Sequence, residues 1–228
     1  EPQVVNIPPR ERTAPAPVAP VPTLRVYEPY AYQNPPAAAS GNREEAYPLF
    51  QRAFRAHQEK DFPTAIEYYS KAIQKDPAWF EAHFNLGRVH LQNGRWADAV
   101  YEFQAAIRIA PEDPTAHYAL GVAYRKQGRV EEAVHEFQIA LRYNPEYAEA
   151  HYSLGLAYWQ EKRWYDALRE FQSTLHINPD DADAHRSLGW IYAQRGLLDE
   201  AIEAYKAALR INPDDAQTHY SLAIVYAQ

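Results

Sequence analysis

The chain of 228 residues contains no cysteine, no methionine and only eight glycines. Without cysteine there can be no disulfide, no thiol nucleophile, no zinc–thiolate site and no haem attached through paired cysteines. No apolar stretch approaches the ~20 residues that a membrane helix needs, so no membrane insertion is expected. Lysine and arginine total 23 against 30 aspartates and glutamates, a net charge of −7. No basic run is long enough to follow a phosphate backbone, and nucleic acid is not an expected partner. A chain that lacks methionine and opens with Glu1 reads as processed or trimmed. Removal of a secretory leader is one explanation and a chosen start is another. Together with the missing cysteines, this points to an extracellular or periplasmic location, with a cytoplasmic one left open.

What the sequence does have, first, is proline. Residues 1 to 45 carry ten, in runs such as Ile7-Pro8-Pro9 and Ala14-Pro15-Ala16-Pro17, with no apolar periodicity. Proline lacks the amide hydrogen that a helix or a central strand requires. The segment 1–45 is therefore expected to be an extended, polyproline-like arm. Tyr27, Tyr30 and Tyr32 stand among its prolines, and tyrosines on a stiff extended backbone make good anchors for a groove.

The second feature is a period. Pro77, Pro111, Pro145, Pro179 and Pro213 lie 34 residues apart, and Gly87, Gly121, Gly155 and Gly189 keep the same step. Leu86, Gly87 and His90, or Leu120, Gly121 and Tyr124, recur at one-helix-face spacing, followed by Ala99, Phe103 and Ala106 or Ala133, Phe137 and Ala140. Glycine and alanine let two helices approach closely while the aromatic fills the space around the contact. Gly94, Gly128 and Gly196 fall where a residue of positive φ ends a helix at little cost, with Lys60 and Lys162 in the same place in two units. Pairs such as Pro179-Asp180-Asp181 and Pro213-Asp214-Asp215 stop one helix and offer carboxylates to the next.

Leu-Gly-x-x-Tyr, then Ala, an aromatic and Pro at a 34-residue step resembles the tetratricopeptide repeat, a helix-turn-helix unit that stacks into a solenoid. The resemblance implies an all-α fold, a right-handed solenoid of stacked antiparallel helix pairs, running from residue 46 to 228. Five units begin at Ala46, Phe80, Pro114, Ala148 and Ala182, and a half repeat, 216–228, begins at Ala216. The first unit departs most from the pattern, with Arg52 and Ala53 where others read Leu-Gly.

Few residues invite chemistry. His83, His117, His151, His185 and His219 form a ladder at the repeat step. Helices pack roughly 8–10 Å apart, too far for in-line imidazoles on successive repeats to share one metal, so each is expected to be a half-buried histidine bonded between helices. Asp180, Asp181, Asp183 and His185 could suggest a cation site, but aspartate after proline at a helix start is ordinary capping. No nucleophile, base and oxyanion donor stand together, and no glycine-rich phosphate loop follows a strand, so no enzymatic activity, cofactor or metal is expected. The clamp for acidic C-termini found in some relatives needs Lys and Asn at places that Phe50, Phe54, Ala119, Glu149 and Ser153 fill here, with Asn85 and Arg88 as partial echoes.

The resemblance also places an inward face on the first helix of each unit. It reads Phe50, Phe54, Phe84, Tyr118, Val122, Tyr152, Leu156, Trp159, Trp190, Tyr220 and Ile224. An apolar floor in a concave groove implies a ligand, and an extended chain rich in proline and tyrosine fits it chemically, as residues 22–36 of this chain do. Phe50 and Phe54 at one end, and Leu222, Val225 and Tyr226 at the other, suggest stacking surfaces for self-assembly. The expected role is that of a non-enzymatic scaffold that assembles head to tail as a filament or tubule, its arm docking on a neighbouring copy. The alternative is an adaptor, periplasmic or cytosolic, that binds an extended peptide of another protein.

Overall fold

The computed structural model describes residues 41–228, and among these there are eleven helices and no strand. The fold is all-α, built from consecutive antiparallel helix pairs. It divides into two units whose described parts are residues 41–179 and 180–228. The arm tyrosines Tyr27, Tyr30 and Tyr32 lie outside the described residues.

The larger unit holds α1 (Arg43–Gln58), α2 (Phe62–Lys75), α3 (Phe80–Gln92), α4 (Trp96–Ile109), α5 (Pro114–Lys126), α6 (Val130–Tyr143), α7 (Ala148–Gln160) and α8 (Trp164–Ile177). The helices pack as the pairs α1–α2, α3–α4, α5–α6 and α7–α8, and α2, α4 and α6 each also touch the first helix of the following pair. The smaller unit holds α9 (Ala182–Gln194), α10 (Leu198–Ile211) and α11 (Ala216–Tyr226), with α10 packed on both neighbours.

Each pair closes on the contact that its sequence specifies. A Cβ on Gly121 would lie 2.7 Å from Cε1 of Phe137 and 3.2 Å from the carbonyl oxygen of Ala133, so only glycine lets α5 approach α6 this closely. Phe103, Phe137 and Phe171 are fully buried at successive copies of this joint, and Tyr205 takes the same role in the smaller unit. The first pair solves the joint differently, with buried Ala53 in place of the glycine and Tyr69 in place of the phenylalanine. It adds an aromatic cluster in which Phe50 stacks on Trp79 at 4.5 Å and meets Tyr69 edge-on at 5.4 Å.

Helix ends follow the local chemistry. Asp113 caps α5 by accepting from the Thr115 and Ala116 amides, both at 2.9 Å, and Asp181 caps α9 through Ala184 at 2.9 Å. The first helices of the pairs end on positive φ: Gly94, Gly128 and Gly196 at 72–78°, and Lys60 and Lys162 at 60°. A lysine there costs about 1 kcal/mol or more relative to glycine, because its Cβ crowds the following carbonyl. α1 opens at Arg43, ahead of Ala46 where the repeat phase starts, because Asn42 caps it through Glu45 and Arg43 is held by the buried carboxylate of Asp76.

Two of the seams between successive pairs carry the same polar link. Gln104 on α4 donates to the Tyr124 hydroxyl on α5 at 2.9 Å, and Gln138 on α6 donates to Tyr158 on α7 at 2.8 Å. Arg129 lies over the Tyr124 ring and Arg163 over the Tyr158 ring, each 4.2 Å from the centroid. Tyrosine at this place thus joins its own loop to the preceding pair.

Candidate functional site

His83, His117 and His151 of the histidine ladder each bridge a loop and the second helix of their pair. Nδ1 of His83 donates to Glu102 at 2.6 Å and Nε2 to the carbonyl of Pro77 at 3.1 Å. His117 repeats this with Glu136 at 2.7 Å and Pro111 at 2.9 Å, and His151 with Glu170 at 2.7 Å and Pro145 at 3.0 Å. His219 bonds Pro213 at 2.8 Å in the same way. Both partners of the first three rings are acceptors, so each ring makes both bonds only when both its nitrogens carry protons. The histidine thereby ties the inter-pair loop, the first helix and the second helix at one point. In the acidic cluster Asp181 serves as the α9 cap and Asp183 pairs with Arg186 at 2.6 Å.

This clamp has a pH signature. Burial disfavours charge on His117 and His151, but the bonds to Glu136 and Glu170 and to the proline carbonyls outweigh it, and both pKa values rise above the ordinary 6.5. A raised folded-state value means that the stabilisation is present below about 6.5 and is lost as pH climbs through the raised value. His57 works the other way: burial takes it down to about 4, and its contribution fades as pH falls below 6.5. Between pH 6.5 and 8.5 the melting temperature should therefore fall, by about 2–4 °C for each kcal/mol lost. The double variant Glu136→Gln, Glu170→Gln should flatten that slope in thermal melts followed by circular dichroism. An unchanged slope would assign it to other groups.

The inward face assigned by resemblance lies where the first helices meet the aromatic joints. In the larger unit Phe84 packs against Phe80 and Phe103, both at 5.7 Å. Tyr118 packs against Phe137 at 5.5 Å and Tyr147 at 5.1 Å, and Tyr152 against Phe171 at 5.5 Å. The hydroxyls of Tyr118 and Ser153 are hydrogen-bonded at 3.0 Å. Val122 and Leu156 are buried and Trp159 is half-buried. In the smaller unit Trp190 and Ile224 are buried, whereas Tyr220 is 51% exposed. Of the residues read as stacking surfaces, Phe50 is buried in the core of the first pair, and Phe54 packs half-buried against that core. Val225 is buried against Ala193, Ala201 and Tyr205 with Leu222 half-buried beside it, and Tyr226 is 60% exposed.

One residue of this face is absent from the apolar reading. Arg125, near the C-terminal end of α5, is only 9% exposed, and its Nε has no hydrogen-bond partner among the described residues. Burial pulls its pKa down, and the groups that offset this are the phenols of Tyr118 and Tyr152 rather than a carboxylate. Arg125 stands 34 residues before Trp159, so the repeat phase assigns it to the same face. An arginine in the last turn of a helix reads first as a partner for the helix dipole, and that hides the signal. The arrangement offers aromatic faces, buried hydroxyls and the Arg125 cation. No described helix is long and apolar enough to cross a membrane.

Family models agree with this architecture. One described as "Tetratricopeptide repeat" matches residues 118–175, and one described as "TPR repeat" matches residues 56–94, 87–128 and 189–228. No curated protein matches the chain in sequence. Among solved structures, the MamA protein is similar at 28% identity and TM-score 0.69, over 76% of this chain and 95% of that one. YrrB, described as a TPR protein with an unusual peptide-binding site, is similar at 26% identity and TM-score 0.66, over 79% and 93%. A tetratricopeptide repeat protein from Parabacteroides merdae, at 23% identity and TM-score 0.71 over 81% and 73%, shares the fold. With the repeat models matched in succession along the helix pairs, the chain belongs to the tetratricopeptide repeat family.

Proposed function

We propose that this chain is a non-enzymatic protein-interaction scaffold that holds an extended segment along the inward face of its first helices. The observation that carries the reading is the run of aromatic side chains Phe84, Tyr118 and Tyr152, buried at successive copies of one joint in the larger unit, with half-buried Trp159 beyond Tyr152 on α7. Likeness to YrrB, a protein with a peptide-binding site, supports it. Residues 22–36, with three tyrosines among prolines, are the segment of matching chemistry within this chain.

The test uses a free peptide covering Pro22 to Pro36. It is titrated into the chain shortened to begin at residue 37, which keeps every described residue and frees the site from a tethered competitor. Trp159→Ala should weaken binding by roughly 1–3 kcal/mol, as expected for a central aromatic anchor. Calorimetry showing no heat at millimolar peptide would remove the inward face from consideration.

End-to-end self-association, with the arm reaching a neighbouring copy, is the second reading. It is favoured by Tyr220 and Tyr226, which α11 leaves largely exposed. The native mass of the full chain separates the two, with polymers supporting assembly and a dilute monomer supporting the adaptor.

A further inference from the structure

We propose that Arg125 is the receptor for a carboxylate on the segment held by the inward face, and that within this chain the carboxylate is that of Glu28. This rests on the reading that the inward face holds an extended segment, and it adds what that segment must carry.

The argument begins with an imbalance. A cation taken out of water loses several kcal/mol of hydration unless an anion or a set of hydrogen bonds replaces it. Two other arginines meet that requirement with carboxylates. Arg186 is bonded to Asp215 at 2.9 Å and to Asp183 at 2.6 Å, and Arg43 is paired with Asp76. Arg125 is as deeply placed as Arg186, and both have an unbonded Nε, but where Arg186 meets two carboxylates the favourable neighbours of Arg125 among the described residues are the phenols of Tyr118 and Tyr152. Burial and then the charge of Arg125 pull down the pKa of Lys126 beside it. A guanidinium presents a planar fork of donors that fits a carboxylate in a bidentate manner. Such a fork, lying beside Tyr118 and Tyr152 and in phase with Trp159, is suited to reading one acidic side chain flanked by aromatic or proline residues.

The proline-rich stretch ahead of the helices contains one such side chain in the right company. Between Arg12 and Arg43 the sequence has a single acidic residue, Glu28, and it stands between Tyr27 and Pro29-Tyr30. Reach is sufficient. The thirteen residues from Glu28 to Gly41 span ~40 Å at ~3.1 Å each when extended. From α1 across α3 to α5 is two helix steps, ~20 Å at up to ~10 Å per step, and the length of α5 adds ~20 Å along its axis.

The test uses the full chain carrying Glu28→Gln, so that the tethered segment lacks the carboxylate. It is titrated with the labelled free peptide 22–36 and with its Glu28→Gln twin, and binding is followed by fluorescence anisotropy. On Arg125 the Glu peptide should bind about 10- to 100-fold more tightly than the Gln twin, the range expected for a charged hydrogen bond. On Arg125→Met the two peptides should bind alike, and Arg125→Lys should restore part of the preference. Equal binding of both peptides to the Arg125 protein would overturn the assignment of Arg125 while leaving the inward face a peptide site. Binding of neither peptide would overturn both readings. If an unrelated peptide with one glutamate between tyrosines bound more tightly than 22–36, Arg125 would keep its role and Glu28 would lose its own to a partner's acidic side chain.

Discussion

Phe137→Ala is expected to destabilise the protein by about 3–5 kcal/mol, the range for removing a buried aromatic ring and leaving a cavity. The ring has no solvent exposure, sits 5.5 Å from Tyr118 and fills the space over Gly121. Gly121 cannot extend into the void because it has no side chain, and Ala133 and Ala140 on α6 are short and fully buried. The site therefore collapses poorly, which puts the cost at the upper part of the range. Because Phe137 lies in an interior pair, its loss should also weaken coupling between the pairs on either side and broaden the unfolding transition. Urea unfolding followed by circular dichroism reads both effects. A midpoint shift worth under 1 kcal/mol would mean that α5 and α6 close over the gap.

Asp76→Asn should cost about 2–3 kcal/mol, and locally more than globally. The Asp76 side chain is fully buried, pairs with Arg43 and accepts the Ala78 amide at 3.2 Å. Arg43 in turn lies 4.3 Å over the Trp79 ring. Asparagine keeps an acceptor for Ala78 but leaves the guanidinium without its anion. Breaking a fully buried pair costs about 3–5 kcal/mol, and the 17% of the Arg43 side chain that reaches water lowers the figure. Backbone amides in the first turns of α1 should then exchange with deuterium faster than those of α3. If adding Arg43→Met to the Asp76→Asn variant restores stability, the loss is that of an unpaired charge. If it does not, the carboxylate acts mainly on its own loop.

Much of this architecture is legible in the residues themselves. The step from Pro77 to Pro213 and the alternation of Gly87 with Phe103 state the helix pairs, because a glycine without Cβ and a ring that fills its place are one contact written on two helices. Lys60 and Lys162 adopt the left-handed conformation that their alignment with Gly94 requires. The histidine partners were within reach as well, since Glu102, Glu136 and Glu170 repeat at the same step. Degree of burial was not legible. An apolar position states which way a side chain points but not how much of its neighbour's surface covers it, so Phe50 and Val225 read as sticky ends and are core. Arg125 and the Arg43–Asp76 pair escaped for a different reason. Each is a single charge whose meaning depends on a partner 33 or more residues away, or on the lack of one among the described residues.

The Gln–Tyr links bear on how such a chain lengthens. Gln104 to Tyr124 and Gln138 to Tyr158 are the same bond at two different seams. A second copy of residues 114–147 placed in tandem would bring Gln138 of one copy to Tyr124 of the next, a pairing of the types already used. Duplication in steps of one period therefore requires no new joint to be invented, and a gene of this kind can gain or lose reach by unequal crossing-over without passing through an unfolded intermediate sequence.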